Sequence, residues 1–107
     1  MGIERNSGRR FTSYAAQRYS LWHRGHRNCA YCGLRLTLVV GQPNSMSLDH
    51  KIPISSGGLN KPFNYAAACK PCNSAKGSMT EAEFRQQMRA QELHARRQAL
   101  QGAPHDR

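Results

Sequence analysis

Apolar and polar positions follow a helical period in TSYAAQRYSLWHR, residues 12–24, where Ala15, Tyr19 and Trp22 fall on one face. Thr12 or Ser13 can cap its start, so the spacing predicts a helix from residue 12 to about 24. Between residues 29 and 60 the period changes. LTLVV (36–40) and MSLDHKI (46–52) are short β-type runs separated by the turn formers GQPNS, a pattern that predicts a hairpin. SSGG (55–58) predicts a further turn, residues 64–68 lead into a second cysteine pair, and a short helix is expected from Asn73. Thr80 and Glu83 form a capping-box pattern, which predicts a helix from there to about Leu100. The first ten residues read as a loose arginine-rich arm and GAPHDR as a frayed tail. The chain carries no internal repeat.

Its 107 residues suit one small domain with a modest core, a size at which a metal or disulfides often supply missing stability. The net charge of +10 changes the picture more. It says little about fold, but it favours polyanionic partners, nucleic acid before anionic membrane. No apolar run approaches the ~20 residues of a membrane span. The N-terminal MGIERNSGRR lacks the apolar stretch of a secretory signal. A reducing cytoplasm is therefore expected, where four cysteines serve as metal ligands more readily than as disulfides.

The cysteines fall in two pairs, Cys29-Ala-Tyr-Cys32 and Cys69-Lys-Pro-Cys72. Each pair turns tightly enough to offer two thiolates to one ion, and two pairs complete a tetrahedral zinc site. Gly33 follows the first pair, where a knuckle can use positive φ. The intervening segment, residues 33–68, exceeds the ~15–20 residues of a simple zinc ribbon. It is either a structural insertion or the carrier of an active element. Disulfides and a redox C-x-x-C remain the plainer alternatives.

Between the pairs stands Asp49-His50, at the end of a β-type run. From Arg5 to Thr80 the chain holds seven arginines and four lysines, and Asp49 is the one acidic residue. Strand neighbours point to opposite faces, so the strand must end, bulge or twist if both residues are to serve one site. Asn73 directly follows Cys72, and an ion that fixes Cys72 also fixes Asn73. Asp and Asn oxygens suit a hard ion such as Mg²⁺, while a histidine with one free ring nitrogen can deprotonate water. Together these supply a nucleophile, a Lewis acid and a stabiliser for the leaving oxygen.

The order CAYCG, LDHKIP, GG, Asn64, CKPCNSAKG resembles the HNH nucleases of the ββα-metal fold, in the branch stapled by a Cys₄ zinc; the resemblance covers about residues 29–77. It implies an α+β fold, a ββα-metal core with helical extensions at both ends. The divisions expected are a basic arm and helix (1–28), a nuclease core (29–78) and a C-terminal helix and tail (79–107). The resemblance implies His50 as general base, Asp49 and Asn73 as ligands of a single catalytic ion, Asn64 as the brace of loop and histidine, and Cys29, Cys32, Cys69 and Cys72 on structural zinc. Asn73 stands where many members have His, so the letters read H-N-N here. All-oxygen ligation favours Mg²⁺ or Mn²⁺. A lone carboxylate in a basic field fits a one-metal site, since two-metal sites need several. The activity implied is DNA cleavage leaving 5′-phosphate and 3′-hydroxyl ends, in a bacterial or phage-infected cell. The setting stays open among phage, mobile element and restriction system.

Other residues carry weaker signals. Arg5, Arg9, Arg10, Arg18, Arg24 and Arg27 read as a nucleic-acid grip, joined by Lys51 and Lys76 beside the proposed site, although ordinary solvated lysines fit those two positions nearly as well. His23 and His26 read as a phosphate-contacting patch or as solvated side chains. His94 and His105 read as surface residues, Tyr31 as packed, and Asn64 alternatively as a turn closer. Phosphate contacts position a protein without reading sequence, and no base-reading helix stands out, so low specificity on double-stranded DNA is expected. A non-catalytic zinc module that binds nucleic acid explains the charge and the cysteines equally well but leaves Asp49, His50 and Asn73 without a role. A zinc-stabilised interaction domain, docking through Phe84, Met88 and Ala95, ranks third. A monomer would more naturally nick, which is the expectation here, while a dimer could cut both strands; the sequence shows no strong dimer interface. Binding to duplex DNA should weaken steeply with salt, with a log–log slope of about −0.9 per phosphate neutralised. A salt-independent affinity in a filter-binding titration would contradict this.

Overall fold

A computed structural model describes residues 13–101. The arm with Arg5, Arg9 and Arg10, the start expected at Thr12, and the tail with His105 lie outside the described residues. Helix α1 runs Tyr14–His23, and Ser13 caps it by accepting the Ala16 N–H at 3.1 Å. Its buried face is not the one the apolar period predicts. Ala15 and Tyr19 are exposed, while Arg18 and Leu21 are buried with Trp22 half-buried beside them. The cause is the Arg18 guanidinium, which donates to the Met46 carbonyl at 2.7 Å and the Leu38 carbonyl at 3.2 Å. A buried cation with fixed acceptors thus decides which face turns inward.

The sheet also differs from expectation. Residues 36–40 form turns held by single bridges, Asn28 with Arg35 and Thr37 with Ser45, and Val39 and Val40 are exposed. Strand β1, Ser47–His50, pairs antiparallel with β2, Tyr65–Ala68, setting Asp49 opposite Ala66 and His50 opposite Tyr65. All four residues of β2 are buried. Small alanines suit such a position because the first cysteine knuckle lies against the strand, with the Ala30 N–H donating to the Ala67 carbonyl at 2.8 Å. The phenol of Tyr14 accepts the outward Leu48 N–H at 3.0 Å and docks α1 on β1.

Helix α2 spans Lys70–Lys76, starting three residues before the expected Asn73, with Cys69 at its cap and Pro71 in its first turn. Helix α3 spans Glu81–Gln101. Its capping box is reciprocal: Glu83 N–H donates to the Thr80 hydroxyl at 3.2 Å, and Thr80 N–H donates to the Glu83 carboxylate at 2.8 Å. Only Phe84 of this helix is buried, and from Arg89 onward every described residue is exposed. The expected small α+β fold is therefore present: a two-stranded sheet, three helices and four clustered cysteines. No described helix is long and apolar enough to cross a membrane.

The core is thin. Leu21, Leu36, Met46, Tyr65, Ala67, Ala68 and Phe84 share it with three of the cysteines. The link between β1 and β2 is held by polar groups instead. Asn64, itself buried, accepts the Ile52 N–H and donates to the carbonyls of Ile52 and Leu59, each at 2.9 Å. Gly58 closes the same loop through a bond to the Pro53 carbonyl at 2.9 Å, and a Cβ placed there would lie 1.7 Å from the Ile52 carbonyl oxygen. Gly58→Ala should therefore cost about 1–3 kcal/mol, the range of overpacking. At about 4–8 °C per kcal/mol for a domain of this size, the loss is readable by thermal melting. A melting temperature equal to wild type would show that the loop is not closed in this way.

Candidate active site and metal centre

The four cysteine sulfurs come together although one pair lies in a turn and the other at the start of α2. All four Sγ atoms lie within 4.8 Å of one another. The separation of Cys32 and Cys69 Sγ, 3.7 Å, is too long for a disulfide and all four cysteines are free. It matches the edge of about 3.8 Å that a tetrahedral ion with sulfur bonds of about 2.3 Å requires. The first pair is a knuckle: Tyr31 and Cys32 N–H groups point at Cys29 Sγ at 3.4 and 3.5 Å, and Gly33, at φ 81°, turns the chain away. Burial pushes the Cys29 thiol up, but the N–H groups of Cys32, Cys69 and Tyr31 outweigh it and bring the pKa down to about 7. Cys69 and Cys72 are pushed up, burial first and neighbouring cysteines after it. Four thiolates cannot crowd together without a cation, and the donor set fits a soft-ligand ion such as zinc.

The second constellation stands at the end of β1. The strand stops at His50, and both Asp49 and His50 line one cleft of about 410 Å³, together with Asn73 from α2 and the 53–55 and 77–78 turns. Asn73 is there because its N–H bonds the Cys69 carbonyl at 2.9 Å, one residue past Cys72 of the cysteine cluster. Thus the residues that the sequence proposes as base and ligands meet in space. Asn64 does not line this cleft. It grips the loop that closes the cleft's edge, and its carbonyl accepts the Lys51 N–H at 2.8 Å.

Asp49 is buried, at 4% exposure, and held by two partners. Its Oδ1 lies 3.1 Å from Lys76 Nζ, and its Oδ2 accepts the Tyr31 phenol. Burial, and then the adjacent Asp49 carboxylate, push the Tyr31 phenol well above its ordinary range, so it stays a donor. The Tyr31 ring packs edge-on against Phe84, centroids 5.1 Å apart, and lies 4.9 Å from the Arg85 guanidinium. A carboxylate offers about four lone-pair directions, so two remain after Lys76 and Tyr31 are served. Asp49 and the Asn73 amide oxygen thus fit a hard divalent ion as a donor set.

Two of the expected nucleic-acid contacts are corrected by burial. Lys76, at 1% exposure, donates to the His50 carbonyl at 2.8 Å besides meeting Asp49, so its ammonium is turned inward. Arg18 is used inside the fold, as described above. Arg24 is exposed, Lys51 is partly exposed, and Arg27 is partly exposed with its guanidinium 5.0 Å from the Trp22 ring centre. His23 and His26 are exposed, which fits either a phosphate-contacting patch or solvated side chains. One residue escaped the sequence reading altogether. Asn60 places its Oδ1 2.7 Å from His50 Nε2. Only its position two residues after Gly58 offered a signal.

A family model described as HNH endonuclease matches residues 29–89. No curated protein and no solved structure matches the chain. The matched span begins at the first cysteine and ends in α3, so it contains both constellations.

Lys76→Met should destabilise the domain by about 3–5 kcal/mol, because it leaves a buried carboxylate without its cation. Urea unfolding of metal-loaded protein reads this directly. A change under about 0.5 kcal/mol, the size expected at an unconstrained surface site, would restore Lys76 to the phosphate-facing surface.

Proposed function

The chain belongs to the HNH endonuclease family, and from that premise we propose that it hydrolyses phosphodiester bonds of double-stranded DNA. The observation that carries the reading is the shared cleft of Asp49, His50 and Asn73 beside the cysteine cluster. Residues 29–78 are the nuclease core on this reading, flanked by a basic arm with α1 and by α3. His50 takes a proton from water, the water oxygen attacks phosphorus, and the bond from phosphorus to the 3′ oxygen breaks. The 3′ oxygen leaves and is protonated from solvent, giving a 3′-hydroxyl and a 5′-phosphate. A divalent ion on Asp49 and Asn73, Mg²⁺ or Mn²⁺ by its oxygen donors, would supply charge neutralisation at the phosphate. Asn64 keeps the loop over the cleft in place. Cys29, Cys32, Cys69 and Cys72 would hold zinc, whose role would be structural, and Cys72 would thereby fix the adjacent Asn73.

Of the residues expected to grip nucleic acid, the exposed Arg24 and the partly exposed Arg27 and Lys51 remain open to phosphate, and Arg5, Arg9 and Arg10, outside the described residues, would add to them. Contacts of this kind hold the backbone without reading bases, so cleavage has low sequence specificity. One cleft per chain nicks one strand at a time.

Supercoiled plasmid incubated with Mg²⁺ or Mn²⁺ should be nicked by the wild type. His50→Ala, at matched zinc content, should be slower by about 10²–10⁴-fold, the range for loss of a positioned general base. If both proteins hold zinc and bind DNA but neither cuts with any divalent ion, the chain is a non-catalytic binding module. Equal cutting by both would remove His50 from the reaction.

A further inference from the structure

His50 is held from three sides. Its carbonyl accepts the Lys76 ammonium, its ring stands edge-on to Tyr65 with centroids 5.4 Å apart, and its Nε2 meets Asn60 Oδ1 at 2.7 Å. The first contact holds the backbone and the second the ring, but neither says anything about the ring's proton. The third does. An amide oxygen only accepts, so the shared hydrogen belongs to His50 Nε2, and Nδ1 keeps the lone pair.

The loop that delivers Asn60 has little freedom. Asn64 holds the carbonyl of Leu59, the residue directly before Asn60, and both backbone groups of Ile52 at the other end of the loop. Between them Gly58 passes so close to the Ile52 carbonyl that no side chain fits there. Lys51 bonds the Asn64 carbonyl at 2.8 Å on one side, and its own carbonyl accepts the Glu81 N–H at 2.7 Å on the other. Asn60 is therefore presented to His50 by a loop closed at both ends, which is what a side chain needs if it is to orient another.

We propose that Asn60 is a positioning residue for His50: it holds the imidazole with its hydrogen on Nε2, so that Nδ1 is the nitrogen that accepts the proton from water. The consequence for rate rests on the nuclease reading above; the hydrogen bond itself does not. Asn60 touches no reacting atom. It acts through His50, so its loss lowers turnover and leaves DNA binding alone.

The test uses the full zinc-loaded chain and two readouts. In ¹⁵N-edited spectra at a pH where the ring is neutral, the wild type should show a His50 Nε2–H protected from exchange with water, assigned by its disappearance in His50→Gln. In Asn60→Ala that proton should exchange freely while zinc content and melting temperature hold. Its kcat should fall by about tenfold, a fraction of what a general base contributes, with KM for duplex DNA within about twofold. Asn60→Asp, which keeps an acceptor oxygen at the same place, should restore the protected proton and most of kcat. An Nε2–H that is unprotected in the wild type, or equally protected in Asn60→Ala, overturns the proposal, as does an unchanged kcat. Loss of protection in Asn60→Ala, alongside a wild type that cuts no DNA with any divalent ion, upholds the positioning and removes the nuclease reading.

Discussion

Everything in this small fold hangs on the meeting of four sulfur atoms. The apolar core is built largely of alanine, two leucines, a methionine and single aromatic rings, and three of its buried members are the cysteines themselves. Bringing Cys29 and Cys32 against Cys69 and Cys72 closes a long loop, and an ion shared among four thiolates is worth about 10–16 kcal/mol in small zinc domains. That exceeds the whole stability of many domains of this size. The same closure sets the knuckle on β2, starts α2, and places Asn73 one residue from the cluster.

From the cluster, order passes to the cleft through polar contacts rather than through packing. Tyr31 sits inside the first knuckle and donates to Asp49; Lys76 ends α2 and reaches both Asp49 and the His50 carbonyl. The one carboxylate between Arg5 and Thr80 is therefore neutralised on its inner side and keeps lone pairs for a ligand. A buried ion pair adds little net stability against an apolar equivalent, and its better attested value is in fixing one arrangement. Here it fixes the residue that the nuclease reading needs most. On the far side of His50, the Asn64 clamp and Gly58 hold the loop bearing Asn60.

Much of this was legible in the sequence because it is written in chemistry-bearing residues at short spacing. The two C-x-x-C pairs, the Asp49-His50 step, Asn73 after Cys72 and the Thr80–Glu83 capping box all follow from local rules. What was not legible depends on contacts between distant segments. Tyr-Ala-Ala-Ala has no β-branched residue, and only the knuckle packed on it explains why it is a strand while LTLVV is not. Arg18 and Lys76 look like surface cations, since long basic side chains are almost never fully buried without partners. Their partners, backbone carbonyls and Asp49, lie 20 or more residues away. Asn60 was nearly hidden for the same reason: its place two residues after Gly58 is a weak signal, and its meaning comes from the closed loop that brings it to His50.

The dependence of the cleft on the cluster can be measured on one sample. Zinc would be withdrawn in steps with a zinc-selective chelator while Mg²⁺ is held in excess, and zinc per chain and plasmid nicking would be read at each step. Nicking should fall in proportion to zinc lost and reach zero when the cysteines are empty. Nicking that survives complete loss of zinc would mean that the cluster does not organise the catalytic cleft.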